Sequence, residues 1–129
     1  MKKTTKRIIG EPIQTEYQEQ CDLIRWCEHM REAGHDIRFY SNNNGVRIEN
    51  IVRAVMLKRS GTRPGLPDLE FIVNNFMFKI EMKDSGGGRL SKEQKEYIEL
   101  MSRCTNGVPV HVCNGAAEAI KVINDYLNK

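Results

Sequence analysis

Apolar residues recur along this chain with two periods, and the switches between them mark helical and extended segments. Leu23, Cys27 and Met30 recur at helical spacing, flanked by Ile24 and Trp26. Ahead of them, Thr15 and Gln18 have the spacing of a capping box, which predicts a helix from Thr15 to about Ala33, stopped by Gly34. On this helix Glu16 and Gln20 fall near the centre of the apolar side, Glu19 nearer its edge, and Asp22, Arg25 and His29 away from it. From His35 to Ser41 the period drops to two, with Ile37 and Phe39 alternating against Arg38 and Tyr40, as in a strand. Asn42 to Gly45 reads as a turn, and Ile48, Ile51, Val52, Val55 and Met56 return to helical spacing, ending near Gly61.

Two extended runs follow, Asp68 to Val73 and Phe76 to Lys83, joined by Asn74-Asn75 as a hairpin would be. In the second run Phe76, Phe78, Ile80 and Met82 share one face, while Met77, Lys79, Glu81 and Lys83 share the other. Ser91 and Gln94 form a second capping-box pattern ahead of a helix with Tyr97, Leu100, Met101 and Cys104 as its inner stripe, closed by Asn106-Gly107. Val108 to Cys113 is a short strand, and Ala116 to Leu127 is a helix with Ile120, Ile123 and Leu127 inward. The order predicts an α/β fold with a mixed β-sheet flanked by α-helices.

The length of 129 residues suits one compact domain, and 40% apolar with 29% charged residues is a globular composition. The expected organisation is a basic tail over residues 1–12 and a single domain over 13–129. No apolar run approaches a membrane span, and none follows the basic start as a secretory signal requires. The four cysteines form no Cys-x-x-Cys pair, so free thiols in the cytoplasm are expected. A zinc site from Cys104, His111 and Cys113 lacks regular spacing and a fourth ligand.

The net charge of +3 is mild, but its distribution is uneven: Arg53, Lys58, Arg59 and Arg63 fall in a stretch from Asn50 to Pro67 with no acid. Clustered cations there suit a phosphate backbone. Directly after them come Pro67-Asp68 and then Glu81-Met82-Lys83. A hairpin brings Asp68, at the start of one strand, near Glu81, at the end of the other. Two carboxylates with the Met82 carbonyl offer oxygen ligands to Mg²⁺, and Glu16 on the first helix can complete the shell. Lys83, on the face of Glu81, can orient a water or neutralise charge developing on a phosphate. Each residue alone has a plain structural explanation: Asp68 as a turn cap, Glu81 and Lys83 as a strand pair, Gln94 as half of a helix cap. Their conjunction beside a basic loop favours a site.

Pro67-Asp68 with Glu81-Met82-Lys83 resembles the PD-(D/E)xK nuclease pattern. More narrowly the chain is similar to the virus-type VRR-NUC family, through Thr15-Glu16 with Gln20, Asn44-Gly45, Leu57 to Gly61, Arg63 to Leu69, Glu81 to Lys83, and Gly88 to Ser91 with Gln94. The resemblance implies a restriction-endonuclease-like core and Mg²⁺-dependent phosphodiester hydrolysis, with Mn²⁺ as a substitute. It implies that Glu16, Asp68, Glu81, Lys83 and Gln94 carry the active site. The expected catalytic residues are Asp68, Glu81, Lys83 and Gln94, the expected metal ligands Glu16, Asp68, Glu81 and the Met82 carbonyl, and Arg89 is expected to join the four upstream cations on DNA. Stand-alone phage members of this family are associated with branched DNA such as Holliday junctions and with homodimers. The expected partners are therefore branched DNA and a second copy, with no membrane and no small-molecule substrate. A non-catalytic nucleic-acid-binding protein that keeps a nuclease fold is the alternative, as is an assembly protein; the intact Asp68, Glu81 and Lys83 count against both.

Overall fold

The computed structural model describes residues 15–42 and 51–129. The basic tail, the turn at Asn43 to Gly45 and Ile48 lie outside them. The elements run α1 (Glu16–Glu32), β1 (Ile37–Ser41), α2 (Ile51–Arg59), β2 (Leu69–Val73), β3 (Phe76–Lys83), α3 (Lys92–Ser102), β4 (Val110–Asn114) and α4 (Ala116–Leu127).

One sheet with strand order β1-β2-β3-β4 forms the frame. The first three strands are antiparallel, and β4 runs parallel to β3 after the crossover through α3. Asn74 and Asn75, with φ of 48° and 70°, make the tight β2–β3 turn, whose left-handed backbone matches strand twist. The register pairs Leu69 with Ile80 and Phe71 with Phe78, leaving Asp68 just before the ladder and opposite the end of β3. Asp68 therefore precedes the strand rather than opening it.

The core lies on the Ile80 and Met82 face of the sheet, closed by Leu23 and Cys27 of α1 and by Ala119, Ile123 and Tyr126 of α4. The rings of Phe71, Phe78 and Tyr126 stack in series, with centroids 5.4 Å and 3.9 Å apart. Met77 and Tyr40 are exposed on the other face. Glu81 and Lys83 point from that same face of β3, yet both are buried.

Two expectations need correction. On α1 the buried acid is Glu19, in line with Leu23 and Cys27 at four-residue intervals, while Glu16 is exposed at the helix start. On α3 the partly covered residues are Gln94, Tyr97, Ile98 and Met101; Leu100 and Cys104 are exposed because the helix lies shallowly against the edge strand β4. Helix α2 shows what spacing alone leaves open: Ile51, Val52, Val55 and Met56 all face solvent, and among the described residues α2 comes near no other helix or strand.

Candidate active site

The site forms where the start of β2, the end of β3 and the first turns of α1 and α3 converge. Asn42, after β1, holds the Pro67-Asp68 backbone: its N–H donates to the Asp68 carbonyl at 3.0 Å and its side-chain amide donates to the Pro67 carbonyl. Asp68 Oδ2 in turn accepts the Met82 N–H at 2.9 Å. Both polar groups of an extended residue leave a strand on one edge, so the Met82 carbonyl faces the same side.

One ligating oxygen from each of Glu16, Asp68 and Glu81 lies within 4.8 Å of the others, and this is the one such cluster of acids, histidines or cysteines among the described residues. Glu81 is 1% exposed, and its Oε1 has no hydrogen-bond partner. A buried carboxylate oxygen with no donor is costly, and a cation removes the cost. Burial, and then the charge of Asp68, push the Glu81 carboxyl up to about 8, against the opposing pull of Lys83. Glu16, though open to solvent, is also raised by partial desolvation against the neighbouring groups, with Lys83 opposing and Asp68 and Asp84 adding to the rise. Three carboxylates gathered this closely, two of them with raised pKa, are the donor set a hard divalent ion takes, so the residues fit one.

Gln94 ties the cluster to α3. Its Nε2 donates to Glu81 Oε2 at 2.8 Å, while its Oε1 accepts from the Lys83 ammonium at 3.1 Å and from the Ser91 N–H at 2.8 Å. The helix cap and the contacts to Glu81 and Lys83 are thus one side chain's work. Lys83 Nζ also stands 3.7 Å from Glu81 Oε2. Gly88 passes over Lys83 and near Glu16: a Cβ there would lie 3.2 Å from Lys83 Cδ and 3.9 Å from Glu16 Oε2.

Above the acids a cleft of about 530 Å³ is lined by Arg89, Leu90 and the Pro64-Gly65-Leu66 loop. A hollow of about 600 Å³ at the C-terminal end of α1, beside His35 and Arg38, gathers no ligating cluster.

Of the expected site residues, Glu16, Asp68, Glu81, Lys83, Gln94 and Arg89 meet around this cleft. Arg53, Lys58 and Arg59 stand exposed on α2, away from its walls, and Arg63 donates to the carbonyls of Lys58 and Thr62 at 2.8 and 3.0 Å, closing the end of that helix. Two residues with a part in the architecture were not singled out by the sequence. In the sequence Asn42 reads only as a turn residue and Glu19 as an edge residue of its helix; the four-residue spacing from Glu19 to Leu23 and Cys27 is the signal of its burial.

Residues 2–117 match the VRR-NUC domain. The chain belongs to the VRR-NUC family. A solved structure described as a VRR-NUC domain protein superposes with a TM-score of 0.68, covering 89% of each chain at 24% identity. The mixed four-stranded sheet and its helices are thus the nuclease-type fold of VRR-NUC proteins, as the Pro-Asp and Glu-x-Lys motifs implied. No curated protein matches the chain.

Proposed function

We propose that this VRR-NUC chain is a divalent-metal-dependent endonuclease that hydrolyses DNA phosphodiester bonds, with Mg²⁺ as cofactor and Mn²⁺ as substitute. The observation that carries the reading is the trio Glu16, Asp68 and Glu81, with a buried, unpartnered Glu81 oxygen beside the Lys83 ammonium. Glu16, Asp68 and Glu81 would hold the cation, with the Met82 carbonyl as a further ligand. Such an ion lowers the pKa of a water and polarises a phosphoryl oxygen.

The chain's own residues do the rest. Gln94 fixes the Glu81 carboxylate and the Lys83 ammonium relative to one another. Lys83 neutralises charge that builds on the phosphate as the P–O bond breaks. Arg89, on the cleft wall, binds the backbone at the cut, and Arg53, Lys58 and Arg59 on α2 and Arg63 in the loop after it extend the cationic track. The unpaired state of all four cysteines suits the reducing cytoplasm. Among the described residues no helix is long and apolar enough to cross a membrane.

The preferred substrate is branched DNA such as a Holliday junction, cut by a homodimer. Two symmetric cuts need two sites, and the outward apolar stripe of α2 supports a second copy as its cover. The test is a cleavage panel of four-way junction, flap, single-strand and duplex DNA in Mg²⁺, Mn²⁺ or EDTA. Cutting of the junction with either metal and none in EDTA is expected. Asp68→Ala, Glu81→Ala and Lys83→Ala each abolish cutting and leave DNA binding within a few-fold. Cutting in EDTA, or by all three variants at the wild-type rate, rejects the site.

A further inference from the structure

Glu19 is buried at 8% exposure on the first turns of α1, where its Oε1 accepts the Ala116 N–H at 2.9 Å from 97 positions away. Ala116 opens α4, and its N-cap, Gly115, has no side chain to satisfy the helix start. Glu19 fills that vacancy and places a negative charge at the positive end of α4. A second bond completes the corner: the Gly115 N–H donates to the Lys83 carbonyl at 2.8 Å. Gly115 has φ of +92°, and a Cβ there would stand 3.2 Å from Glu19 Oε1, so only glycine lets the three segments approach so closely.

The corner joins the backbone of Lys83 to the helix that carries Glu16, three residues before Glu19. Leu23 and Cys27 set how deep α1 sits in the core, but apolar burial is not directional and leaves the rotation of the helix weakly fixed. A hydrogen bond is directional. Side-chain tips lie about 5–6 Å from a helix axis, so a rotation of about 20° would move the Glu16 carboxylate by about 2 Å. That exceeds the roughly 0.5 Å within which a site's groups must be held.

We infer that Glu19 is a positioning residue for the metal centre: through Ala116 and Gly115 it fixes the rotation of α1, and with it the place of Glu16 beside Asp68 and Glu81. The inference rests on the metal-centre reading above. It is tested by calorimetric titration of the full chain with Mn²⁺, alongside thermal unfolding, for wild type, Asp68→Asn, Glu19→Gln, Glu19→Asp and Glu19→Ala. Glu19→Gln keeps both length and an acceptor oxygen and binds Mn²⁺ within about twofold of wild type. Glu19→Ala and Glu19→Asp, which lose the acceptor or its reach, weaken binding about tenfold. In cleavage they raise the Mg²⁺ needed for half-maximal rate more than they lower the rate at saturating metal.

A Glu19→Ala protein that unfolds at lower temperature yet binds Mn²⁺ like wild type has lost only a structural contact, and overturns the inference. So does a Glu19→Gln protein as weak as Glu19→Ala. If Glu19→Ala does not fold, Glu19→Asp decides by the same criterion. Wild-type protein that takes up no Mn²⁺ rejects the metal centre itself; binding abolished by Asp68→Asn but untouched at Glu19 rejects the positioning role alone.

Discussion

At the scale of single residues, the site is governed by one carboxyl group that folding places where its charge is unwelcome. Glu81 is pushed from an ordinary 4.5 up to about 8, by burial first. Between those two values the folded protein holds a proton that the unfolded chain has released. Stability therefore falls as pH rises through that window, in the absence of metal. Glu81→Gln, which mimics the protonated state, should melt near wild type at pH 5 and above it at pH 8 in EDTA. Mg²⁺ should then raise the melting temperature of wild type at pH 8 and leave Glu81→Gln nearly unmoved. Thermal unfolding in EDTA and in Mg²⁺ at the two pH values checks the sign; a Glu81→Gln protein less stable at pH 8 would contradict it. Gln94 separates two roles by chemistry. Glu at this position still accepts from the Ser91 N–H and so keeps the cap, but it cannot donate to Glu81. Gln94→Glu should keep the melting temperature close to wild type in Mg²⁺ and lose about 10- to 100-fold in cleavage rate. Equal losses in Gln94→Ala and Gln94→Glu would place the effect in the Glu81 contact, whereas a loss confined to Gln94→Ala would reduce Gln94 to a cap.

At the scale of elements, α3 is held by a loop that looks like a mere connector. Gly65 has φ of +92°, and a Cβ there would lie 2.6 Å from the backbone carbon of Glu93, next to Gln94. Gly65→Ala should cost about 1–3 kcal/mol of stability in denaturant unfolding and lower cleavage further by displacing the first turn of α3. Wild-type activity in that variant would mean the loop yields without moving Gln94. The same level shows what could be read from the chain. Both capping boxes, the Asn-Asn hairpin, and the shared face of Glu81 and Lys83 are local patterns, fixed by residues a few positions apart, and all appear in the fold. The convergence of Asp68 on Glu81 followed from hairpin geometry alone. What stayed hidden depends on neighbours distant in sequence. Glu19 is buried because α4 needs a cap from elsewhere, Asn42 matters because β1 pairs with β2 beside Pro67, and α3 lies too shallow to bury Leu100. Periodicity gives the side of a helix, but not how far a partner covers it.

At the scale of the whole molecule, α2 is the element without an internal reason. Ile51, Val52, Val55 and Met56 form an outward stripe, each worth roughly 1.5–3 kcal/mol if fully buried, on a helix that also carries Arg53, Lys58 and Arg59. Intramolecular packing does not use that stripe among the described residues; the second copy proposed above would cover it and let one helix serve both association and DNA contact. Val55 is 47% exposed, so glutamate there does little harm to the folded monomer and would put a charge in the middle of the proposed seam. Val55→Glu should sediment as a monomer at concentrations where wild type is a dimer, while melting within a few degrees of it. The consequence for cutting is separable from the loss of affinity. On a supercoiled plasmid that extrudes a cruciform, a dimer with two sites makes paired cuts in one encounter and yields linear product, whereas a monomer nicks one strand and releases an open circle. Val55→Glu should shift the product from linear to nicked, because its own Asp68, Glu81 and Lys83 are untouched. A variant that stays dimeric, or a monomer that still linearises the plasmid in one encounter, would take α2 out of the seam and leave its apolar stripe in need of another explanation.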